Sequence, residues 1–87
     1  MIPLAADAWR RLEEHRSALE RVLAQGGKGA EEAALELAET RAALDRITLG
    51  SYGRCASCGG AIGRQRLLAM PMVRYCIGCA ASARRAT

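Results

Sequence analysis

The chain has 87 residues, 51% of them hydrophobic but only 3% aromatic, and its 13 Lys or Arg against 9 Asp or Glu leave a net charge of +4. A chain this short forms one domain, or one small module with an appendage, and its core is too thin to hold it without further support. No stretch approaches the roughly 18 apolar residues of a membrane span, and "MIPLAADAWRRLEEH" turns charged before a signal-peptide core can form, so a cytoplasmic protein is expected.

From Leu4 to Leu23 the apolar positions Ala5, Ala8, Trp9, Leu12, Leu19, Val22 and Leu23 recur at steps of three and four, with charged residues between them. That period predicts an amphipathic helix of about 22 residues, roughly 33 Å long. It stops at "QGGKGA", where Gly26 and Gly27 can take a left-handed C-cap, and a second helix begins behind Gly29 with Glu31 and Glu32 in its first turn. This helix runs through Ala34, Leu37, Leu44 and Ile47 to Gly50. So short a loop forces an antiparallel hairpin, predicted to pair Val22 with Ala33, Leu19 with Leu37, and Trp9 with Ile47. His15, the one histidine, falls near the seam and reads as a partly buried packing residue.

After Gly50 the helical period ends. Pro71 and the glycines at 53, 59, 60, 63 and 78 exclude a long helix in the region that follows, leaving turns and a short hairpin. "CAASARRA", from Cys79, reads as a short terminal helix. The expected fold is therefore mainly α: a two-helix antiparallel coiled-coil hairpin over residues 1–50, then a small four-cysteine module with a short C-terminal helix over residues 51–87.

Cys55, Cys58, Cys76 and Cys79 have the form C-x2-C-x17-C-x2-C. In a reducing compartment that spacing points to one structural Zn²⁺ per chain rather than to disulfides. Each two-residue spacer lets two thiolates reach one ion, and Gly59 can turn backbone N–H groups toward sulfur. Four protein ligands leave no open position for an activated water, so catalysis at the metal is not expected. Iron in a four-thiolate site and a redox dithiol pair are the rival readings, the second lacking a βαβ context. No Ser/His/Asp set, phosphate loop or carboxylate pair suggests an enzyme.

Charge is divided unevenly. Residues 1–50 carry seven Lys or Arg and nine Asp or Glu, whereas residues 51–87 carry six Arg and no acid. Arg54, Arg64, Arg66, Arg74, Arg84 and Arg85 thus make a basic surface. Direct nucleic-acid binding by that surface is one reading, but stacking aromatics are too few for single strands and no recognition-helix pattern is evident.

The stretch "LDRITLGSYGRCASCGGAIGRQRLLAMPMVRYCIGC" resembles the DksA/TraR zinc-finger proteins of bacteria. The shared positions are Gly50, Tyr52, Gly53, Cys55, Cys58, Gly59, Ile62, Arg66, Leu67, Ala69, Pro71, Cys76 and Cys79. The resemblance implies a non-enzymatic transcription regulator that binds RNA polymerase directly: the zinc module docks at the rim of the secondary channel and the hairpin reaches inward. Arg66 and Arg74 are then expected partner contacts through electrostatic steering, with Lys28 at the hairpin tip a third. The alternative is a zinc-stabilised adaptor or nucleic-acid-binding protein using the same basic face. The tip departs from the family, whose well-studied members carry aspartates there; here it reads "AQGGKGAEE". Leu68 and Met70 also stand where the family usually has charged residues.

Overall fold

The computed structural model describes residues 3–86, with side chains described from residue 4 to residue 82. Among the described residues four helices follow one another: α1 (Pro3–Gln25), α2 (Ala30–Leu49), α3 (Arg64–Ala69) and α4 (Ile77–Ala86). Among the described residues the only extended pairing is an isolated antiparallel bridge between Arg54 and Ala61.

The α1–α2 turn works as the glycines suggest. Gly26, Gly27 and Gly29 all have positive φ, at 69°, 85° and 87°, a region that costs other residues energy. Gly29 caps α2 with no side-chain bond to its free N–H groups, and Glu31 and Glu32 complement the helix dipole instead. At the far end Gly50 adopts φ 82°, and the Ser51 and Tyr52 amides both donate to the Arg46 carbonyl, which ends α2 sharply.

The hairpin seam divides into two clusters. Toward the tip, Leu19, Ala33 and Leu37 pack together with Leu23 against them. Toward the base, Ala8, Leu12, Ala43 and Leu44 do so, with Ile47, Tyr52 and Met72 alongside. The Leu19–Leu37 pairing is as expected, but two others are not. Val22 is 44% exposed and Leu23 takes its place; Trp9 is 38% exposed and Ala8 and Leu12 fill the seam at its level. The reason is helical phase. One residue of offset is about 100°, so Ala8, Leu12, Leu19 and Leu23 share one stripe while Trp9 and Val22 fall on its two opposite flanks.

Polar contacts sit on those flanks. Arg16 bridges Glu13 (2.5 Å) and Glu20 (2.9 Å) along α1, and Arg41 of α2 crosses to Glu20 at 3.1 Å. These partners raise the Arg16 pKa, Glu13 first, and hold the Glu20 carboxyl below its ordinary value, Arg16 first. His15 is half-buried as expected, and its Nε2 pairs across the seam with Glu36. Thr40 is fully buried; its hydroxyl donates to the Glu36 carbonyl at 2.8 Å and lies 3.4 Å from the Met72 sulfur.

α3 was not foreseen. Gly63 and Pro71 leave room between them for less than two turns, and "RQRLLA" uses it because its Leu67 drops into a third cluster with Cys55 and Ile62. Leu4, Tyr52, Val73 and Tyr75 pack around that cluster. Gly53 is required here: with φ 90°, an added Cβ would meet the Leu67 side chain at 3.4 Å.

Candidate metal centre and basic pole

Two backbone turns bring the thiols together. The first is closed by the Cys55 amide donating to Gly60 O (2.8 Å) and the Gly59 amide to Cys55 O (2.9 Å), with Gly59 at φ 77° as its position after Cys58 suggests. The second is the start of α4. This helix begins at Ile77, two residues earlier than the sequence implies, which puts Cys76 at the N-cap and Cys79 in the first turn. The Cys76 sulfur accepts the Cys79 amide at 3.5 Å, so a cysteine does here what Ser or Asp does at an ordinary N-cap. The Ala56 amide donates to Arg74 O at 2.8 Å and stitches the two turns to each other.

The result is a cluster whose four sulfurs all lie within 4.8 Å of one another. Cys58 and Cys76 sulfurs are 3.9 Å apart, close to the ~3.8 Å separating thiolates that sit about 2.3 Å from a tetrahedral zinc. Amide N–H groups of Ser57 and Gly60 point at the sulfurs of Cys55 and Cys58, each at 3.4 Å. Such donors favour thiolate over thiol. Without a cation Cys55 is lowered to about 6, chiefly by the Cys58 and Cys76 amides, while Cys79 is pushed up to about 12 by the thiols of Cys76 and Cys55. All four can be thiolates together only around a positive ion. No pair is closed as a disulfide. The donor set fits zinc, and Cys55, Cys58, Cys76 and Cys79 would hold it with no open ligand position, as a structural cofactor.

The arginines have several fates. Arg46 and Arg11 of the hairpin, which motif reading passed over, reach into the cysteine module. Arg46 donates to Met72 O (3.3 Å) and Val73 O (3.4 Å), and Arg11 donates to Leu68 O at 2.8 Å. Tyr52 adds a hydroxyl bond to Pro71 O at 2.9 Å. Burial pushes the Tyr52 pKa up; burial, and then the nearby Arg74 charge, pull the Arg46 pKa down.

Of the expected partner contacts, Arg66 donates from Nε to Tyr75 O at 3.1 Å, and Arg74 pairs with Glu39 of α2 at 2.9 Å. The Arg74 Nε is buried with no partner among the described residues. Arg54 and Arg64 are exposed. The side chains of Arg84 and Arg85 lie outside the described residues. Lys28 is exposed at the opposite pole, so the structure brings Arg66 and Arg74 to the cysteine module and leaves Lys28 far from both.

A helical hairpin with a four-thiolate zinc site at its base defines a C4 zinc-finger protein of the hairpin type. Residues 50–85 match the family described as "Prokaryotic dksA/traR C4-type zinc finger". The solved structure of "RNA polymerase binding protein and transcriptional regulator Dks" from Chlamydia trachomatis L2 (LGV434) is similar in fold, with a TM-score of 0.78 at 22% identity over 99% of this chain and 93% of that one. Residues 50–85 thus carry a zinc finger of the DksA/TraR type, and the chain is similar in fold to Dks along nearly its whole length. An uncharacterized protein of Aquifex aeolicus (strain VF5) is 45% identical over 49 residues, 56% of this chain. The chain spans about a third (34%) of that relative's length. Among the described residues no helix is long and apolar enough to cross a membrane.

Proposed function

We propose that this protein is a non-enzymatic transcription regulator that binds RNA polymerase directly at its secondary channel. One observation carries the reading: the hairpin, the zinc turns and the joint between them together share the fold of a protein described as RNA polymerase binding, at 99% coverage of this chain. Charge supports it. The module after Gly50 has six Arg and no acid, and zinc with four thiolates leaves it at about +4, suited to an acidic patch on a large partner. The division into a hairpin, residues 1–50, and a zinc module, residues 51–87, assigns the work: the module docks and the hairpin probes.

In this proposal docking rests on Arg66 and Arg74 with their exposed neighbours Arg54 and Arg64. The Tyr75 carbonyl and Glu39 hold the first two in fixed orientations, which lowers the side-chain entropy lost on binding. The tip contributes less. α1 has 23 residues, about 35 Å, and ends in three positive-φ glycines around Lys28, whose charge a magnesium-containing centre repels. Ordering that loop costs roughly 1–2 kcal/mol per fixed residue. The protein therefore acts by occupying the channel entrance and excluding longer factors.

Tagged protein is expected to retrieve polymerase, and Arg74→Ala to weaken retrieval more than Lys28→Asp. Recovery of bare DNA or RNA with a steep salt dependence, and of no polymerase, would establish the nucleic-acid-binding alternative instead. In transcription from a ribosomal-type promoter, an effect that survives Arg74→Ala and collapses with Lys28→Asp would place the working end at the tip.

A further inference from the structure

α2 is apolar on two sides. Its core side, Ala33, Leu37, Thr40, Ala43 and Leu44, is buried against α1 and the cysteine module. At about 100° per residue, Leu35, Ala38, Ala42 and Leu49 form a second stripe, within an arc of roughly 60° on the opposite side. Leu35 is 71% exposed and Leu49 79%, and nothing among the described residues covers them. Glu31 shares this side one turn before Leu35, but between the two leucines the arc holds only alanines.

The spacing is self-complementary. Leu35 and Leu49 are each seven residues from Ala42. A second copy of α2 laid antiparallel, with the two-fold axis at Ala42, sets Leu35 of each copy against Leu49 of the other and crosses the helices at alanine, where backbones approach closely. Charge selects the same register. The first half of α2 carries Glu31, Glu32, Glu36 and Glu39 with no base, while the second half carries Arg41 and Arg46 with Asp45. Antiparallel pairing sets the acidic half against the half with both guanidiniums; parallel pairing sets four glutamates against four. In the antiparallel register Arg41 and Asp45 flank the same edge and meet their counterparts across the axis. Asp45 is exposed and forms no ion pair among the described residues, and Arg41 spends one N–H on Glu20 while remaining largely exposed.

We infer that the outer face of α2 is a self-association surface, on which two copies pair antiparallel about Ala42 with Leu35 against Leu49. The surface does not depend on polymerase. It has a consequence for the hairpin, because a paired copy doubles its thickness and prevents insertion into a narrow channel, so pairing makes the inserting monomer scarcer as concentration rises.

Sedimentation equilibrium of the zinc-loaded chain over micromolar to millimolar concentrations is expected to show a monomer–dimer equilibrium. Leu35→Glu and Leu49→Glu each weaken it about tenfold or more, with zinc content and helical circular dichroism unchanged. Asp45→Arg also weakens it, and adding Arg41→Asp to that variant restores it. Orientation has its own readout, since Lys28 is the only lysine. Antiparallel copies hold their two Lys28 residues roughly 40 Å apart. A short amine cross-linker applied to mixed isotope-labelled protein therefore yields no Lys28–Lys28 product. A monomer at every concentration, a dimer indifferent to both Leu→Glu changes, or abundant Lys28–Lys28 cross-links would each overturn the proposal.

Discussion

The hairpin and the cysteine module solve the same problem, too little core, by different means. The hairpin buries a narrow seam of leucine and alanine and seals it with Arg16, Glu20 and Arg41, so its contacts are spread along two helices. Among its described residues the module has one buried cluster, Cys55, Ile62 and Leu67, beside the three other thiols, and otherwise leans on side chains that donate to its carbonyls. Distributed apolar burial tolerates local loss. A single metal node does not.

Removing the metal should break that contrast most severely. Structural zinc contributes on the order of 10 kcal/mol in small finger peptides, far more than the cluster around Leu67 can supply. Chelation, or Cys55→Ser, is expected to unfold residues 51–86 while leaving much of the α1–α2 helicity. Native mass spectrometry and far-ultraviolet circular dichroism check this together: one Zn per chain before, and a partial loss of helix signal after. Complete retention of structure without metal would show that the arginine contacts suffice.

Acid sharpens the comparison. In the folded arrangement of the module the Cys55 thiol sits at about 6, below the roughly 8.5 of a thiol in an unfolded chain. A depressed group contributes stability that is complete above the unfolded value and lost as pH falls through the folded one. Zinc affinity, measured against a chromophoric chelator, should fall progressively as pH drops below about 8.5, because protons compete with the metal for all four thiols of the unfolded, metal-free module. Thiols of an unfolded chain titrate near roughly 8.5 and so carry protons at neutral pH, and zinc loading at pH 7 must release them. Titration in weak buffer measures that release. The hairpin seam, without cysteine, should show neither effect.

Within the hairpin, Leu12→Ala should cost about 2–5 kcal/mol, because Leu12 is 1% exposed between Ala8 and Leu44 and its removal leaves a cavity. Trp9→Ala should cost distinctly less despite the larger side chain. Chemical denaturation of both variants compares them, and the reverse order would return Trp9 to the seam. The smallest expected effect is at the joint: Tyr52→Phe removes one bond to Pro71 O and should lower stability by about 0.5–1.5 kcal/mol, with zinc content unchanged.

Much of this architecture is legible in the residues themselves. Two helical periods broken by "QGGKG" mean a hairpin, since glycines at positive φ close the turn whatever surrounds them. Two Cys-x-x-Cys pairs mean a metal node, since the spacer alone lets both thiols of a pair face one point. Local chemistry decides these features, so sequence suffices. Periodicity could not choose between Trp9 and Ala8, or between Val22 and Leu23, because neighbouring apolar residues both satisfy a three- and four-residue pattern and only the facing helix selects the phase. Nor could it find α3, whose six residues lack a full amphipathic period and fold because Leu67 has a cluster to enter.

The joint was least visible of all. Arg11, Arg46 and Glu39 look like ordinary charges on helix faces, yet they meet Leu68, Met72, Val73 and Arg74, which lie 26 to 57 residues away along the chain. Sequence by itself determined the hairpin, the thiol cluster and a basic C-terminal half, because turn chemistry, spacing and composition act over a few residues. Only the tertiary structure decided which arginines brace the joint and which remain open to a partner, because a guanidinium's role depends on the carbonyls and carboxylates that folding brings within about 3 Å of it.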